Sequence, residues 1–245
     1  MKNKIFYILG ILLVTILTSA NAFAYNKNFI TYGNEIKNNI PTENLISGTA
    51  IMYETLQLKK YGLEMQAFQY AMTGYNYLKN KKMLSNVNIL SIVDFTKAST
   101  KKRLFVIDIK NKKVLYNTLV AHGQASGLDM ATSFSNEQES LQSSLGFYTT
   151  ANTYEGKNGF SLVLKGLEKG VNDNAQQRAI VMHGAPYVSQ EYVNDTGSLG
   201  RSWGCPAVSE KLAKPIITKI KGGSCLFVYS PNKKYLKTSK LINSF

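Results

Sequence analysis

The sequence predicts a mainly β chain of the α+β class: a β-rich domain preceded by a small pair of helices. Three observations predict it. Met65, Phe68, Ala71, Met72 and Tyr75 recur at three- and four-residue spacing, the period of one helix face. From Asn88 the pattern changes to short apolar, β-branched runs separated by turn residues, beginning with Ile89 to Phe95 and Arg103 to Ile109. A chain of 245 residues is long enough for one sizeable domain and short for two.

Taken in order, residues 1–24 read as a signal peptide. Lys2 and Lys4 form a basic start, Ile5 to Leu17 is a short apolar run, and Ala22-Phe23-Ala24 is a small-x-small cleavage signal. An uncleaved anchor is the alternative, but a span needs about 20 apolar residues. No Cys follows the run, so a lipid-modified start is not expected. Export is therefore expected, to the periplasm or alternatively to the cell wall or medium. Membrane contact is expected only through the signal peptide before cleavage.

Residues 25–87 read as a polar, Asn-rich lead-in and the helical pair, Ile51 to Lys60 and Leu63 to Lys79, parted by Gly62. Residues 88–231 carry the strands. Arg103 to Ile109 and Val114 to Ala121 flank a turn at Lys110-Asn111-Lys112, a hairpin signal. A long polar loop from Gly123 to Gln142 follows. Phe147 to Thr150, Phe160 to Leu164, Ile180 to Met182 and Cys225 to Tyr229 read as further strands. Pro215 to Ile220 reads as a short helix with Pro in its first turn, stopped by Gly222-Gly223. Residues 232–245 read as a basic tail.

The chain carries a formal charge of +14, or 14 − 2 = +12 without Lys2 and Lys4. The surplus fits attraction to an anionic wall or membrane surface, and equally a Lys-rich solvated surface. Almost all of it is Lys: the only arginines are Arg103, Arg178 and Arg201. With an export signal and no nucleic-acid-binding motif, no nucleic-acid partner is expected.

The chemistry concentrates in Met182-His183-Gly184-Ala185-Pro186-Tyr187 and Gly200-Arg201-Ser202-Trp203-Gly204-Cys205-Pro206. A thiolate is the reactive form of Cys, and a nearby imidazole can activate it. Cys205 is the candidate nucleophile and His183 its base, at the end of the apolar run Ala179 to Met182. Gly204 lets the backbone approach a substrate, and Pro206 fixes the chain direction beyond the nucleophile. The backbone N–H groups of Gly204 and Cys205 are candidate donors to an oxyanion.

This stretch resembles the L,D-transpeptidases of bacterial cell-wall synthesis. That family carries a His, a loop, then Ser/Thr-His-Gly-Cys followed by Arg or Asn; here the match is His183-Gly184, then Ser202, Gly204 and Cys205. Leu119-Val120-Ala121-His122-Gly123, Ser144-Leu145-Gly146-Phe147-Tyr148 and Asn172-Asp173-Asn174 look like a divergent branch, the murein L,D-transpeptidase catalytic domain-like proteins. The likeness covers roughly Leu90 to Ser230. Two departures stand out. Trp203 takes the place of a second His, and Pro206-Ala207 the place of an apolar residue and Arg. Arg201 is the candidate to replace that Arg in holding a substrate carboxylate. Ser202, Trp203, Gly184 and His122 are further substrate-site candidates. His122 is read evenly as a cleft residue or as a polar residue ending a strand.

The resemblance implies an exported cysteine enzyme acting on peptidoglycan stem peptides through a thioester, needing no cofactor and no metal. With water as acceptor the same site is an L,D-carboxypeptidase. The competing class is a non-catalytic wall-binding protein. Other chemistries fit less well. Gly200 to Gly204 matches Gly-x-Ser-x-Gly, but no His follows Ser202 as that elbow requires. The two Cys and two His lack the close pairs of structural zinc sites. An exported chain with two Cys also leaves open a Cys205–Cys225 disulfide.

Overall fold

A computed structural model describes residues 42–243; the expected signal peptide and most of the lead-in lie outside them. Among the described residues, helices α1 (Thr42–Thr55) and α2 (Met65–Asn80) come first. The α2 stripe is buried through Ala67, Phe68, Ala71, Met72, Gly74, Tyr75 and Leu78. Gly74 lets the Phe147 ring lie against the helix: a Cβ there would sit 2.1 Å from the ring. Among the described residues no helix is long and apolar enough to cross a membrane.

The described residues then form a mainly β sheet of eight strands. These are β1 (Ile89–Asp94), β2 (Leu104–Asp108), β3 (Lys113–Thr118), β4 (Gly146–Gly156), β5 (Gly159–Gly166), β6 (Val181–Ala185), β7 (Ala207–Ser209) and β8 (Cys225–Tyr229). Their spatial order is β3-β2-β1-β8-β4-β5-β6-β7. The β1–β8 and β6–β7 pairs are parallel; the others are antiparallel. Strands β1, β2 and β8 are buried along their whole length, as their mostly apolar runs foretell, with Ser91, Asp94 and Asp108 buried among them. Phe147 stacks on Phe227 at 4.2 Å between ring centres, joining β4 to β8 in the core.

Three short α-helices complete the described residues: α3 (Gln190–Thr196), α4 (Glu210–Ile220) and α5 (Lys233–Thr238). The sequence reading starts α4 at Pro215, but the helix begins five residues earlier and carries Pro215 inside it. An internal Pro forfeits one backbone hydrogen bond. Burial of Ala213, Ile216, Ile217 and Ile220 along one face offsets that loss. The basic tail also contributes to the core. Tyr235, Leu241 and Ile242 are buried, and Tyr235 and Ser239 both donate to the buried Glu168 carboxylate. Burial raises the Glu168 pKa, against the opposing pull of these donors.

Two parallel strands position the candidate site. In the β6–β7 pair His183 lies level with Ala207, two residues beyond Cys205. The nucleophile thus enters at the start of β6 and the imidazole sits farther along it. The sequence reading did not foresee β7, which is only Ala207–Ser209 and too short to give a period.

Candidate active site

Cys205 is a partly buried free thiol. Its Sγ accepts the Val181 N–H at 3.5 Å and lies 3.7 Å from the Ala179 carbonyl oxygen. Ala179 has φ +53°, the left-handed region a non-glycine residue seldom adopts. That twist turns its carbonyl toward the sulfur just before β6 begins. Burial raises the thiol pKa, while the Val181 N–H and the Arg178 charge pull it back down.

Cys225 opens β8, is fully buried and is also free. Strands β4, β5 and β6 stand between β8, which Cys225 opens, and the entry to β7, where Cys205 lies. A disulfide needs Cα atoms within about 7 Å. The two thiols therefore do not pair in this fold.

His183 is buried on β6, and its Nδ1 meets the Gly184 carbonyl at 2.8 Å. A carbonyl only accepts, so Nδ1 carries the proton and Nε2 keeps its lone pair. Burial lowers the imidazole pKa, against the pull of that carbonyl. No hydrogen bond joins His183 to Cys205. Gly184 is the spot where β6 meets α4: a Cβ there would stand 3.1 Å from both Ala213 and Glu210.

Ser202 ties the nucleophile loop. Its Oγ accepts the Gly204 N–H at 3.1 Å and donates to the Cys205 carbonyl at 2.7 Å. The Gly204 N–H is therefore engaged, and the Cys205 N–H is the loop donor that makes no hydrogen bond. Gly204 has φ +119°, and a Cβ would lie 2.7 Å from the Gln142 carbonyl oxygen. Glycine is required there on both counts. Gly123 faces it closely, since a Cβ on Gly123 would be 2.9 Å from the Gly204 Cα. Ser143 bridges the two, accepting the Gly123 N–H at 3.0 Å and donating to the Gly204 carbonyl at 3.1 Å.

His122 is wholly buried behind this loop. Its Nδ1 accepts from Arg103 Nη2 at 2.7 Å, so Nε2 is the protonated nitrogen and donates to the Gly127 carbonyl at 3.2 Å. Burial, with the Arg103 charge, lowers its pKa to about 4. Its backbone carbonyl accepts the Ser202 N–H at 2.9 Å. Arg103 itself is buried over the Phe95 ring and also donates to Val120 and Lys97 carbonyls.

Trp203 and Arg201 face solvent; Trp203 is 75% exposed, beside the nucleophile. Arg201 Nη1 reaches the Gly127 and Gln124 carbonyls at 3.3 and 3.5 Å. Tyr187 packs on Gly200, and burial, with Cys205 nearby, pushes its phenol up to about 12.

One residue near the sulfur escaped the sequence reading. Arg178, just before β6, donates through Nη1 to the Ser135 carbonyl and Ser144 Oγ. Nη2 donates to Ser140 Oγ at 3.1 Å and the Gln142 carbonyl at 2.7 Å. A signal was present: the chain has three arginines among 29 basic residues. Arg178 and Arg201 hydrogen-bond to the Gly123–Ser144 loop, and Arg103 to Lys97, Val120 and His122 beside it, where a planar fork does what Lys cannot.

A family profile described as the L,D-transpeptidase catalytic domain matches residues 59–229. Among solved structures, an L,D-transpeptidase from Mycobacterium smegmatis is 14% identical over 58% of this chain and 59% of its own, with a TM-score of 0.36. The helical cell shape determining protein Pgp2 from Campylobacter jejuni is 14% identical over 58% and 47%, with a TM-score of 0.39. An L,D-transpeptidase from Xylanimonas cellulosilytica is 12% identical over 58% and 60%, with a TM-score of 0.33. The match spans about three fifths or less of these structures' own length. No curated protein sequence matches the chain.

Proposed function

This chain belongs to the L,D-transpeptidase catalytic domain family, and from that premise we propose that it is an exported cysteine L,D-transpeptidase acting on peptidoglycan stem peptides. The observation that carries the reading is the setting of Cys205. A free sulfur receives a strand N–H from Val181 in a loop whose own Cys205 N–H is unspent.

In this mechanism the Cys205 thiolate attacks the carbonyl of an L-to-D peptide bond. The Cys205 N–H steadies the oxyanion, a preorganised donor of the kind that dominates acyl transfer. His183, with Nδ1–H held by Gly184, presents Nε2 to take the thiol proton and return it to the leaving amine. Collapse expels that amine and leaves a thioester. An acceptor amine from a second stem attacks the thioester, His183 removes its proton, and the cross-link forms. Water in place of the amine gives the carboxypeptidase outcome. No metal or cofactor enters these steps.

Export rests on the Lys2/Lys4 start, the Ile5 to Leu17 run and Ala22-Phe23-Ala24. Intact mass of the exported protein should place the mature start at Tyr25. For the chemistry, the test is intact-mass detection of a stem-peptide adduct on the mature protein. Wild type should carry the thioester adduct and Cys205→Ala should not. Product masses with and without an acceptor amine distinguish transpeptidation from hydrolysis. Absence of any adduct or product would favour a non-catalytic wall-binding role.

A further inference from the structure

We propose that Arg178 is the fixed positive charge that works against the burial of Cys205 and favours its thiolate, acting as a positioning residue for the nucleophile. The inference rests on Cys205 being the nucleophile of the function proposed above.

The geometry carries it. Arg178 stands next to Ala179, whose carbonyl lies 3.7 Å from the sulfur, and three residues before Val181, which donates to the sulfur. A Cβ on Gly204, the residue before Cys205, would lie 3.3 Å from Arg178 Nη2. The guanidinium therefore lies against the nucleophile loop.

Its terminal donors are spent on two carbonyls and two serine hydroxyls, all neutral. Such partners fix the group in place but do not cancel its charge. A fork already filled by four acceptors is also badly placed to bind a substrate carboxylate in two-point fashion. What remains is a stationary cation beside a thiol, the arrangement that favours thiolate.

The surrounding titratable groups leave that role open to Arg178. Tyr187, after β6, has its phenol pushed up to about 12. Tyr148, on β4, is fully buried with its phenol raised further, so it is neutral near pH 7. Glu137, in the loop before β4, is exposed and solvated. His183 makes its Nδ1 bond to Gly184 and none to the sulfur. The same bonds hold a loop with two non-glycine residues at positive φ, Glu139 at 57° and Leu141 at 56°. Arg178 thus fixes the loop and places its charge in one act.

The test is the pH–rate profile of Cys205 alkylation by iodoacetamide, read by peptide mass on the folded full-length mature chain. The thiolate displaces iodide and forms the thioether, so the midpoint reports the thiol pKa. Arg178→Gln should raise that midpoint by about one unit and slow alkylation near pH 7 roughly tenfold. Arg178→Lys, which keeps the charge, should recover most of the rate. An unchanged midpoint in a folded Arg178→Gln protein overturns the proposal. So does a Lys variant shifted as far as the Gln variant, which would leave only loop bracing. Should Arg178→Gln fail to fold, His183→Gln decides. A midpoint close to wild type supports Arg178; a rise of about one unit assigns the thiolate to His183 and overturns the proposal. Alkylation needs no stem peptide. An Arg178-dependent profile in a chain that forms no acyl-enzyme supports this inference and removes only the transpeptidase reading.

Discussion

Ser202 binds the nucleophile residue by its backbone rather than its sulfur: its hydroxyl donates to the Cys205 carbonyl at 2.7 Å while accepting the Gly204 N–H at 3.1 Å. One buried side chain therefore pins the peptides on both sides of the one that carries the Cys205 N–H, whose own carbonyl, Gly204 O, is held by Ser143.

Ser202→Ala removes both bonds and leaves the buried Gly204 N–H without a partner. It should cost about 1–3 kcal/mol of stability. Freeing the peptides on either side of the oxyanion donor should also lower kcat by roughly tenfold or more, with KM little changed. Chemical denaturation and steady-state kinetics on a stem peptide check the two parts separately. Full activity in a destabilised protein would confine Ser202 to folding.

The two cysteines should behave differently. Cys205→Ala should abolish acyl-enzyme formation. Cys225, fully buried at the start of β8 with its thiol pKa strongly raised by burial, should alkylate only after unfolding. Cys225→Ala should keep activity and lose about 1 kcal/mol through a small core void. Equal loss of activity in both folded variants would contradict the separation of the two thiols.

His122 should weaken the fold in mild acid. Its folded pKa of about 4 lies below the ordinary 6.5. Between those values the unfolded chain binds a proton that the folded chain refuses, so stability falls as pH drops from about 6.5 to 4. The effect has an upper bound of about 3 kcal/mol. His183, also lowered, acts in the same direction, whereas the raised Glu168 and Asp94 act oppositely as pH falls. Comparing Tm across this range in wild type and His122→Gln isolates the His122 share: the variant's curve should lose that part of the slope. Parallel curves would show that His122 does not titrate between the two states.

Arg201 is the arginine free to meet a ligand. Arg103 and Arg178 each make four hydrogen bonds, while exposed Arg201 has two long contacts from one nitrogen. Arg201→Lys keeps the charge and loses the fork. It should lower kcat/KM for stems ending in a free carboxylate about ten- to a hundredfold, and amidated stems much less. Equal losses on both substrates would make Arg201 a brace for the Gln124–Gly127 turn.

What the sequence disclosed follows from how local each signal is. The α2 stripe, the β2–β3 hairpin and the apolar run of β8 are written in neighbouring residues, and they fold where expected. Cys205 and His183 stand out because their chemistry is rare in this chain. Strand β7 does not, since its three residues have meaning only beside His183. Arg178 is equally silent in the linear order: its acceptors lie 34 to 43 residues upstream. The extent of α4 was hidden by Pro215, whose local preference yields to the buried face of Ala213, Ile216, Ile217 and Ile220.

The parallel pairing of β6 with β7 bears on how this scaffold can change. His183 and Cys205 are held by strand register, while the connection between those strands carries α3, a helix with no buried residue. Val188 and Leu199, on either side of α3, are the buried anchors of that connection in a small apolar cluster with Ala121, Ala185 and Ala207, against which Tyr187 and Val193 pack partly buried. The segment between these anchors is an exchangeable module. It can be trimmed, extended or replaced to remodel the rim of the site, leaving the reacting pair in step.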